Sequence, residues 1–501
     1  MIYMIPLENC LDLEMIEIQK RVAEATRRLN LASTPEICAL DLSSEVGELA
    51  KEVLELTDYG RREHIYNPDL ARELGDSFYS LIALANIYNI SLEEQLEKSL
   101  RKYEFREMRR KAEKENIKVK LEPIVLAKNF LCLNAVAGCR NNCVYCYKHG
   151  WDIKNRFVPQ QFAEVEDILS SLPNHRYFHP KIPLAIHNSA TDPFQKEVEA
   201  TTFKIMDGLE VRGMTNIVGL ITKEYLPTEV INRLENYKNI RPVIFVTFSG
   251  LPPEYEKVVD ERRLETMENL SKSHLPRILY YRPIIEGVND SEKTIRRIME
   301  LGEKYFHCIV RSALKLDVSI VEYMTKRGLP VDSGYDIGLN IHDSLKQMSA
   351  RSRARVDYLL GRSKVPYFKK TSCAISCLFN QPDYNCQWIR PEIYCSPLCP
   401  QSQKEICAQA VLSQPKEIDV QNQLQHLGLK VPYQINKDHL LIKSDRVFYS
   451  DVKYLRMALK FPVLVGVNGE ALTAEEYDNK YVNADRREVR KLVKKMGIAN
   501  Y

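Results

Sequence analysis

The sequence predicts a multidomain protein in which an all-α N-terminal part precedes an α/β part built on a parallel sheet. Three observations carry that expectation. Residues 11 to about 115 hold helix signals and no strand signal, short apolar runs alternate with amphipathic stretches from about Pro123, and the first of those runs leads into a loop with three thiols. A chain of 501 residues exceeds one ordinary core. The expected layout is a helical domain over 1–115, a partial barrel over 116–370, a cysteine-rich segment over 371–412 and a small α+β domain over 413–501.

Hydrophobic content of 45% and charged content of 28% are those of a soluble globular chain, and a net charge of +4 is too small to imply a polyanion partner by itself. Phe78 to Ile90, the longest apolar helical stretch, is broken by Ser80, Asn86 and Asn89 and is too short to span a bilayer, so no membrane association is expected. Met1 to Cys10 lacks a basic segment followed by an apolar core, which argues against a secretory signal and for a cytoplasmic location. Thirteen cysteines then sit in a reducing compartment, where clustered thiols point to metal or chemistry.

Helix starts are written in the N-terminal part. Thr34 with Pro35 and Asn67 with Pro68 read as N-caps followed by first-turn prolines, and Ser91 with Glu94 reads as a capping box. The helix after Pro35 places Glu45, Glu48 and Glu52 on one face, and the helix after Pro68 does the same for Glu73 and Asp76. Acids so spaced are most often a solvated face. Here they adjoin the apolar run Phe78 to Ile87, which should be buried, and acids beside a core call for a cation.

Ser44-Glu45-Val-Gly-Glu48 and Glu73-Leu-Gly-Asp76 resemble the two acidic helices of the MazG-like nucleoside triphosphate pyrophosphohydrolases. The resemblance implies that Glu45, Glu48, Glu73 and Asp76 bind Mg2+, which positions water and a triphosphate for cleavage between the α and β phosphates. Ser44 stands where many members carry a further glutamate. Nucleotide binding alone, or homo-oligomerisation through the helices, is the alternative role.

Residues 101–120 are dense in charge and read as a solvated linker. Beyond it, Leu131–Ala137, Pro183–His187, Asn216–Thr222, Pro242–Phe248, Arg277–Pro283 and Cys308–Ala313 are the expected strands, with helices between, as in a parallel sheet. Cys139, Cys143 and Cys146 close the loop after the first strand. Three thiolates leave one iron of a cubane open to an outside ligand. With His149 the same cysteines could instead complete a zinc site. The strand lead-in, Gly138 and Tyr145 favour the cluster.

The spacing Cys-x3-Cys-x2-Cys, with Tyr145 before the last cysteine, resembles the signature of radical S-adenosylmethionine (radical SAM) enzymes, and residues 125 to 310 resemble their spore photoproduct lyase branch. That likeness implies a partial (β/α)6 barrel, a [4Fe-4S] cluster, S-adenosylmethionine (SAM), and a 5′-deoxyadenosyl radical. It assigns Tyr145, Ser189, Thr191, Asp192, Lys223 and Ser249 to the SAM pocket, with Lys223 facing the methionyl carboxylate. Cys308 and Tyr281, or Tyr280, are the candidates for hydrogen donor. A flavodoxin or ferredoxin is the expected reductant, and a nucleotide or nucleic acid the expected substrate, in DNA repair, nucleotide modification or antiviral defence. A regulatory protein that senses nucleotides and carries structural or redox-sensing metals is the rival.

Cys373, Cys377, Cys386, Cys395, Cys399 and Cys407 crowd a proline-punctuated segment that includes Pro391. Cys373 with Cys377 and Cys395 with Cys399 supply two pairs for a zinc or a second [4Fe-4S] cluster, with Cys386 or Cys407 able to replace a member. Further on, Val463 to Gly469 reads as a strand entering an Asn-Gly turn, and Arg486 to Lys495 as a basic helix.

Overall fold

The structure is a computed structural model that describes residues 14–31, 34–61, 67–96, 99, 121–151, 153, 155–258, 260–329, 346–389, 395–444, 447–467 and 469–473. The expected linker over 101–120, residues 1–10, Pro391 and the basic helix over 486–495 lie outside the described residues. The chain divides into two compact units, Met1–Lys111 and Ala112–Tyr501. No helix among the described residues is long and apolar enough to cross a membrane.

The first unit is helical, with α1 (Met15–Arg28), α2 (Pro35–Leu56) and α3 (Pro68–Ile87). Its caps follow the sequence. Thr34 accepts from the Ile37 amide, Asn67 from the Asp69 amide at 3.1 Å, and Ser91 from the Glu94 amide at 3.3 Å. The burial expected for Phe78 to Ile87 holds on one face only. Ile82 and Ala85 are buried, while Phe78 and Leu81 are each 41% exposed and Ile87 is 40% exposed. A single layer of helices covers one side of α3, and neither α1 nor α2 contains a buried residue. Most of the exposed large hydrophobic side chains of the described residues belong to this unit.

The second unit is organised by a sheet of nine strands. Six of them run parallel in chain order: β2 (Leu131–Leu133), β5 (Leu184–Ile186), β6 (Ile217–Thr222), β7 (Arg241–Thr247), β8 (Arg277–Ile284) and β9 (Cys308–Lys315). Their near-continuous burial explains the unbroken apolar runs, because helices such as α5 (Glu199–Val211) and α8 (Glu292–Tyr305) cover them. Short strands that carry no sequence pattern finish the edges. β1 (Ile124–Leu126) pairs antiparallel with β2, and β9 takes β10 (Lys346–Gln347) and β11 (Tyr367–Phe368) on its outer side.

The first expected strand is shorter than its apolar run. After Leu133 the chain leaves the sheet, because Asn134 is held by the Pro123 and Glu122 carbonyls, and the Ala135 amide donates to His187 Nδ1. Val136–Ala137, as β3, then pair with Gln160–Gln161, as β4. One face of the sheet carries Cys132, Ala185, Gly219, Phe245, Tyr280 and Val310 by register. Phe130, Phe245 and Tyr280 fill it, with ring centroids 6.2 and 5.2 Å apart, and a Cβ on Gly219 would collide with Phe130.

The chain beyond residue 370 packs back on this unit. A four-stranded sheet, β12 (Tyr433–Ile435), β13 (Leu440–Ile442), β14 (Val463–Val467) and β15 (Glu470–Thr473), includes the expected hairpin between its last two strands. Gly469 there has φ +82°, the left-handed region that glycine adopts freely. Arg176 anchors the sheet's helix, pairing with the fully buried Asp451 at 2.9 Å and donating to the Leu427 carbonyl at 2.6 Å.

Candidate active site

The thiol loop hangs from the carboxyl edge of β2, where parallel sheets bind ligands. Gly138 starts it with φ +93°, and a Cβ there would run into the Val158 carbonyl, so the turn requires glycine. The loop is stitched on three sides. Cys139 N–H donates to the Arg156 carbonyl at 3.0 Å, Lys148 Nζ to the Cys139 carbonyl at 2.7 Å, and Val144 N–H to the Tyr255 carbonyl at 3.0 Å. The helix after β9, α9 in our numbering (Val318–Lys326), adds Tyr323, whose hydroxyl donates to Asn142 Oδ1 at 2.8 Å and whose ring stacks on His149 at 3.9 Å.

His149 Nε2 donates to the Cys143 carbonyl at 2.9 Å, and its Nδ1 is buried without a hydrogen-bond partner among the described residues. Among the described residues no three of Cys139, Cys143, Cys146 and His149 have ligand atoms all within 4.8 Å of one another. Donors around a tetrahedral zinc with bonds of about 2.3 Å stand about 3.8 Å apart, whereas each thiolate of a cubane takes its own iron. The donor set fits three corners of a cubane better than zinc. Burial pushes the Cys139 thiol up to about 11, against Lys148, and the Cys143 thiol up to about 12, against Lys223. A metal bound here would displace those protons.

Beside the thiols lies a buried charge network that sequence reasoning missed. Glu256, from the loop after β7, accepts from Lys223 Nζ at 2.5 Å, Arg263 Nη1 at 2.7 Å, Ser249 Oγ at 2.7 Å and the Tyr145 hydroxyl. Burial opposes its ionisation, but Lys223 and Arg263 outweigh it and hold the carboxyl down at about 2. Lys223 also donates to the Tyr145 hydroxyl at 2.7 Å. Thus Tyr145, Lys223 and Ser249 do converge, around a carboxylate that no motif announced. Gln195 is the other omission, donating to Cys139 Sγ at 3.1 Å.

Asp192 is committed elsewhere. It accepts from Thr222 Oγ1 at 2.7 Å, the Lys223 amide at 2.8 Å and the Phe194 amide at 3.1 Å, tying the loops after β5 and β6 together. Burial, reinforced by Glu224, raises its carboxyl to about 7. Ser189 is buried near Cys132. Thr191 Oγ1 and His187 Nε2 are buried without a hydrogen-bond partner among the described residues. Polar atoms left so at a ligand edge fit a bound molecule.

Neither expected hydrogen donor reaches the thiol loop. Cys308 is the first residue of β9, buried near Cys377. Val310 pairs with Tyr280, so Cys308 lies four residues below the level of Arg282, about 13 Å along the strand. Tyr281 points to the helix side, its hydroxyl donating to the Asn289 carbonyl at 2.5 Å. Alternation along the strand gives the inner face to Tyr280 instead, whose hydroxyl meets Thr371 Oγ1 at 2.6 Å.

In the cysteine-rich segment, the helix Thr371–Leu378 presents Cys373 and Cys377. Cys373 is surrounded by Asp383, Cys395, Cys407 and Cys399, and Cys399 by Cys377, Cys407 and Cys395. Burial raises both thiols. Cys407 is among those neighbours, so the structure brings this reserve ligand to the group. In the helical unit, Glu45, Glu73 and Asp76 bring carboxylate oxygens within 4.8 Å of one another. Glu48 is outside that trio. Partial burial, then Glu48, Asp76, Asp41 and Glu73, raise the Glu45 carboxyl, and Arg72 pairs with Glu73 at 3.0 Å.

Comparison with known proteins follows the same division. Residues 33–110 match the family model of the MazG nucleotide pyrophosphohydrolase domain. The helical unit is similar to that family over this span. No curated protein matches the chain. Among solved structures, a spore photoproduct lyase mutant is similar at 13% identity and a TM-score of 0.38, covering 50% of this chain and 78% of that one. Another, with bound AdoMet and dinucleoside spore photoproduct, has 12% identity and a TM-score of 0.38 over 47% and 75%. A radical SAM methyltransferase from Sphaerobacter thermophilus has 13% identity and a TM-score of 0.33 over 49% and 69%.

Proposed function

We propose that the second unit is a radical SAM enzyme acting on a nucleotide or nucleic acid, and that the helical unit is a Mg2+-dependent nucleotide pyrophosphohydrolase module. The observation that carries the first part is the set of three thiols on one braced loop at the carboxyl edge of a parallel sheet, beside Lys223 and Tyr145. A cluster bound there with SAM supplies one-electron cleavage to a 5′-deoxyadenosyl radical. The chain's part is to fix the loop through Gly138, Lys148 and Tyr323, and to offer donors in Lys223 and Thr191. Cys139, Cys143 and Cys146 are the ligands, and the outside reductant is a flavodoxin or ferredoxin.

Cys373, Cys377, Cys395 and Cys399, with Cys407 in reserve, form a second metal site in this reading. Anaerobic reconstitution tests both centres together. We expect 5′-deoxyadenosine from SAM and dithionite, loss of at least 100-fold when Cys139, Cys143 and Cys146 are all changed to alanine, and retention of the metal held by the second group. Undiminished 5′-deoxyadenosine in the triple variant sinks the assignment.

The trio Glu45, Glu73 and Asp76 is the cation site of the helical unit. The apolar faces of α2 and α3, exposed at Leu40, Val53, Leu74 and Phe78, are the surface through which copies of this unit associate. Leu74→Asp with Phe78→Asp is expected to lower the solution mass to that of one chain. An unchanged mass, with both variants folded, removes this role. DNA repair, nucleotide modification and antiviral defence are the settings that fit a nucleotide target in the cytoplasm.

A further inference from the structure

Lys223 and Arg282 both approach the ligand edge, and they differ in one respect. Lys223 is neutralised by Glu256 at 2.5 Å. Arg282 has no carboxylate within ion-pair distance among the described residues; its neighbours are Tyr280, Tyr147 and Tyr145. Position explains what it could meet. Arg282 follows Tyr280 by two residues on β8, where the register with β9 shifts between Tyr281 and Ile284, and its guanidinium lies 5.7 Å from the centroid of the Tyr280 ring, which belongs to the floor made by Tyr280, Phe245 and Phe130. Tyr147, one residue past the last thiol of the loop, is pinned by its hydroxyl to the Asn188 carbonyl and forms the adjoining wall. The guanidinium is enclosed by aromatic rings yet half-buried, keeping a surface open to the interior.

Enclosing a cation without a counter-charge is unfavourable, and arginine cannot escape by losing its proton. Its planar fork pairs with phosphate through two parallel hydrogen bonds. β7 separates β6 from β8, so Lys223 and Arg282 rise from strands about 10 Å apart. Tyr145 lies between them, touched by Lys223 Nζ at 2.7 Å and also beside Arg282. Tyr147, half-buried beside the cation, offers a flat face on which a nucleobase can stack.

We propose that Arg282 is the anion subsite of the substrate pocket and binds a phosphate of a nucleotide-type substrate, while Lys223 and its network serve the cofactor side. The proposal rests on the radical SAM reading and names the substrate chemistry of that site. Its test uses the full chain, reconstituted anaerobically and kept free of Mg2+ so that the acidic trio does not recruit nucleotides. The probes are the four 2′-deoxynucleoside 5′-monophosphates, with the matching nucleosides as neutral controls, and the readout is the electron paramagnetic resonance signal of the reduced cluster with SAM present.

At least one monophosphate is expected to perturb that signal at a concentration tenfold or more below its nucleoside. Arg282→Gln should erase the preference, and Arg282→Lys should restore part of it, with iron content as the control for folding. Equal responses of wild type and Arg282→Gln, or no preference for any monophosphate, overturn the subsite. So does an Arg282→Gln protein whose signal no longer responds to SAM itself, because the anion is then the cofactor's carboxylate. Failure of the enclosing reading looks different: the wild type shows no SAM-responsive signal at all. In that event the same titration followed by fluorescence of Trp151, whose ring lies 6.4 Å from that of Tyr147, still decides whether Arg282 holds a phosphate.

Discussion

The two units treat buried and clustered charge in opposite ways. In the sheet unit, Glu256 is fully enclosed and meets Lys223, Arg263, Ser249 and Tyr145, so its negative charge is compensated before any ligand arrives. In the helical unit, Glu45 faces Glu73 and Asp76 with no ion pair to a cation among the described residues, and Arg72 pairs with Glu73 and Asp69. A compensated network is a preorganised frame that holds neighbouring groups in place. An uncompensated cluster is a site whose geometry is completed by what binds. Apolar surface divides the same way, since the sheet carries its core within the unit while the helices leave theirs exposed.

Removing the compensation gives the largest expected effect. Glu256→Gln leaves Lys223 and Arg263 enclosed without their carboxylate, and breaking a buried pair from one side typically costs about 3–5 kcal/mol. We expect calorimetry of the full chain to show the sheet unit's transition falling by several degrees, the helical unit's transition standing still, and SAM binding weakening as Tyr145 and Lys223 lose their anchor. A sheet-unit transition that does not move would mean that the network is not what fixes this edge.

That network also marks where the sequence stops being readable. The six parallel strands were legible because each is buried on both faces and so reads as an apolar run, and the thiol loop was legible because three cysteines within eight residues follow one of those runs. Glu256 had no such signature. It lies in an irregular loop, and its meaning depends on Lys223, which is 33 residues away in sequence. The choice between Tyr280 and Tyr281 turned on strand parity, which a run of apolar residues on both faces does not reveal. Cys308 was chosen by chemistry alone, without the level along the strand. In the helical unit, the apolar run Phe78 to Ile87 was legible, but a run says nothing about what covers each of its faces. The acidic cluster was read from spacing along two helices, and Glu48, the foremost charged neighbour of Glu45, stands beside the trio whose oxygens converge.

The smallest expected effect sharpens the comparison most, because it sets one residue type against itself. Glu256 has a carboxyl held down at about 2, below the ordinary value near 4.5, so the folded state releases that proton more readily than the unfolded chain. Its contribution to stability is complete above about pH 4.5 and is lost as pH falls through about 2. Glu45 has a raised carboxyl. Here the folded state holds the proton more tightly, so stability declines as pH rises through the carboxylate range and the cost persists at neutral pH. Glutamine at each position isolates the two terms from every other titrating group. Glu45→Gln should therefore melt higher than wild type at pH 8 and match it near pH 4, the reverse of the pH dependence expected for Glu256→Gln. Mg2+ supplies the missing counter-charge, so it should raise the wild-type helical transition, erase the advantage of Glu45→Gln, and support release of pyrophosphate from a nucleoside triphosphate by wild type but not by that variant. If Mg2+ leaves the helical transition unmoved and Glu45→Gln keeps its advantage in its presence, the trio is a solvated acidic face and the unit's role is association alone.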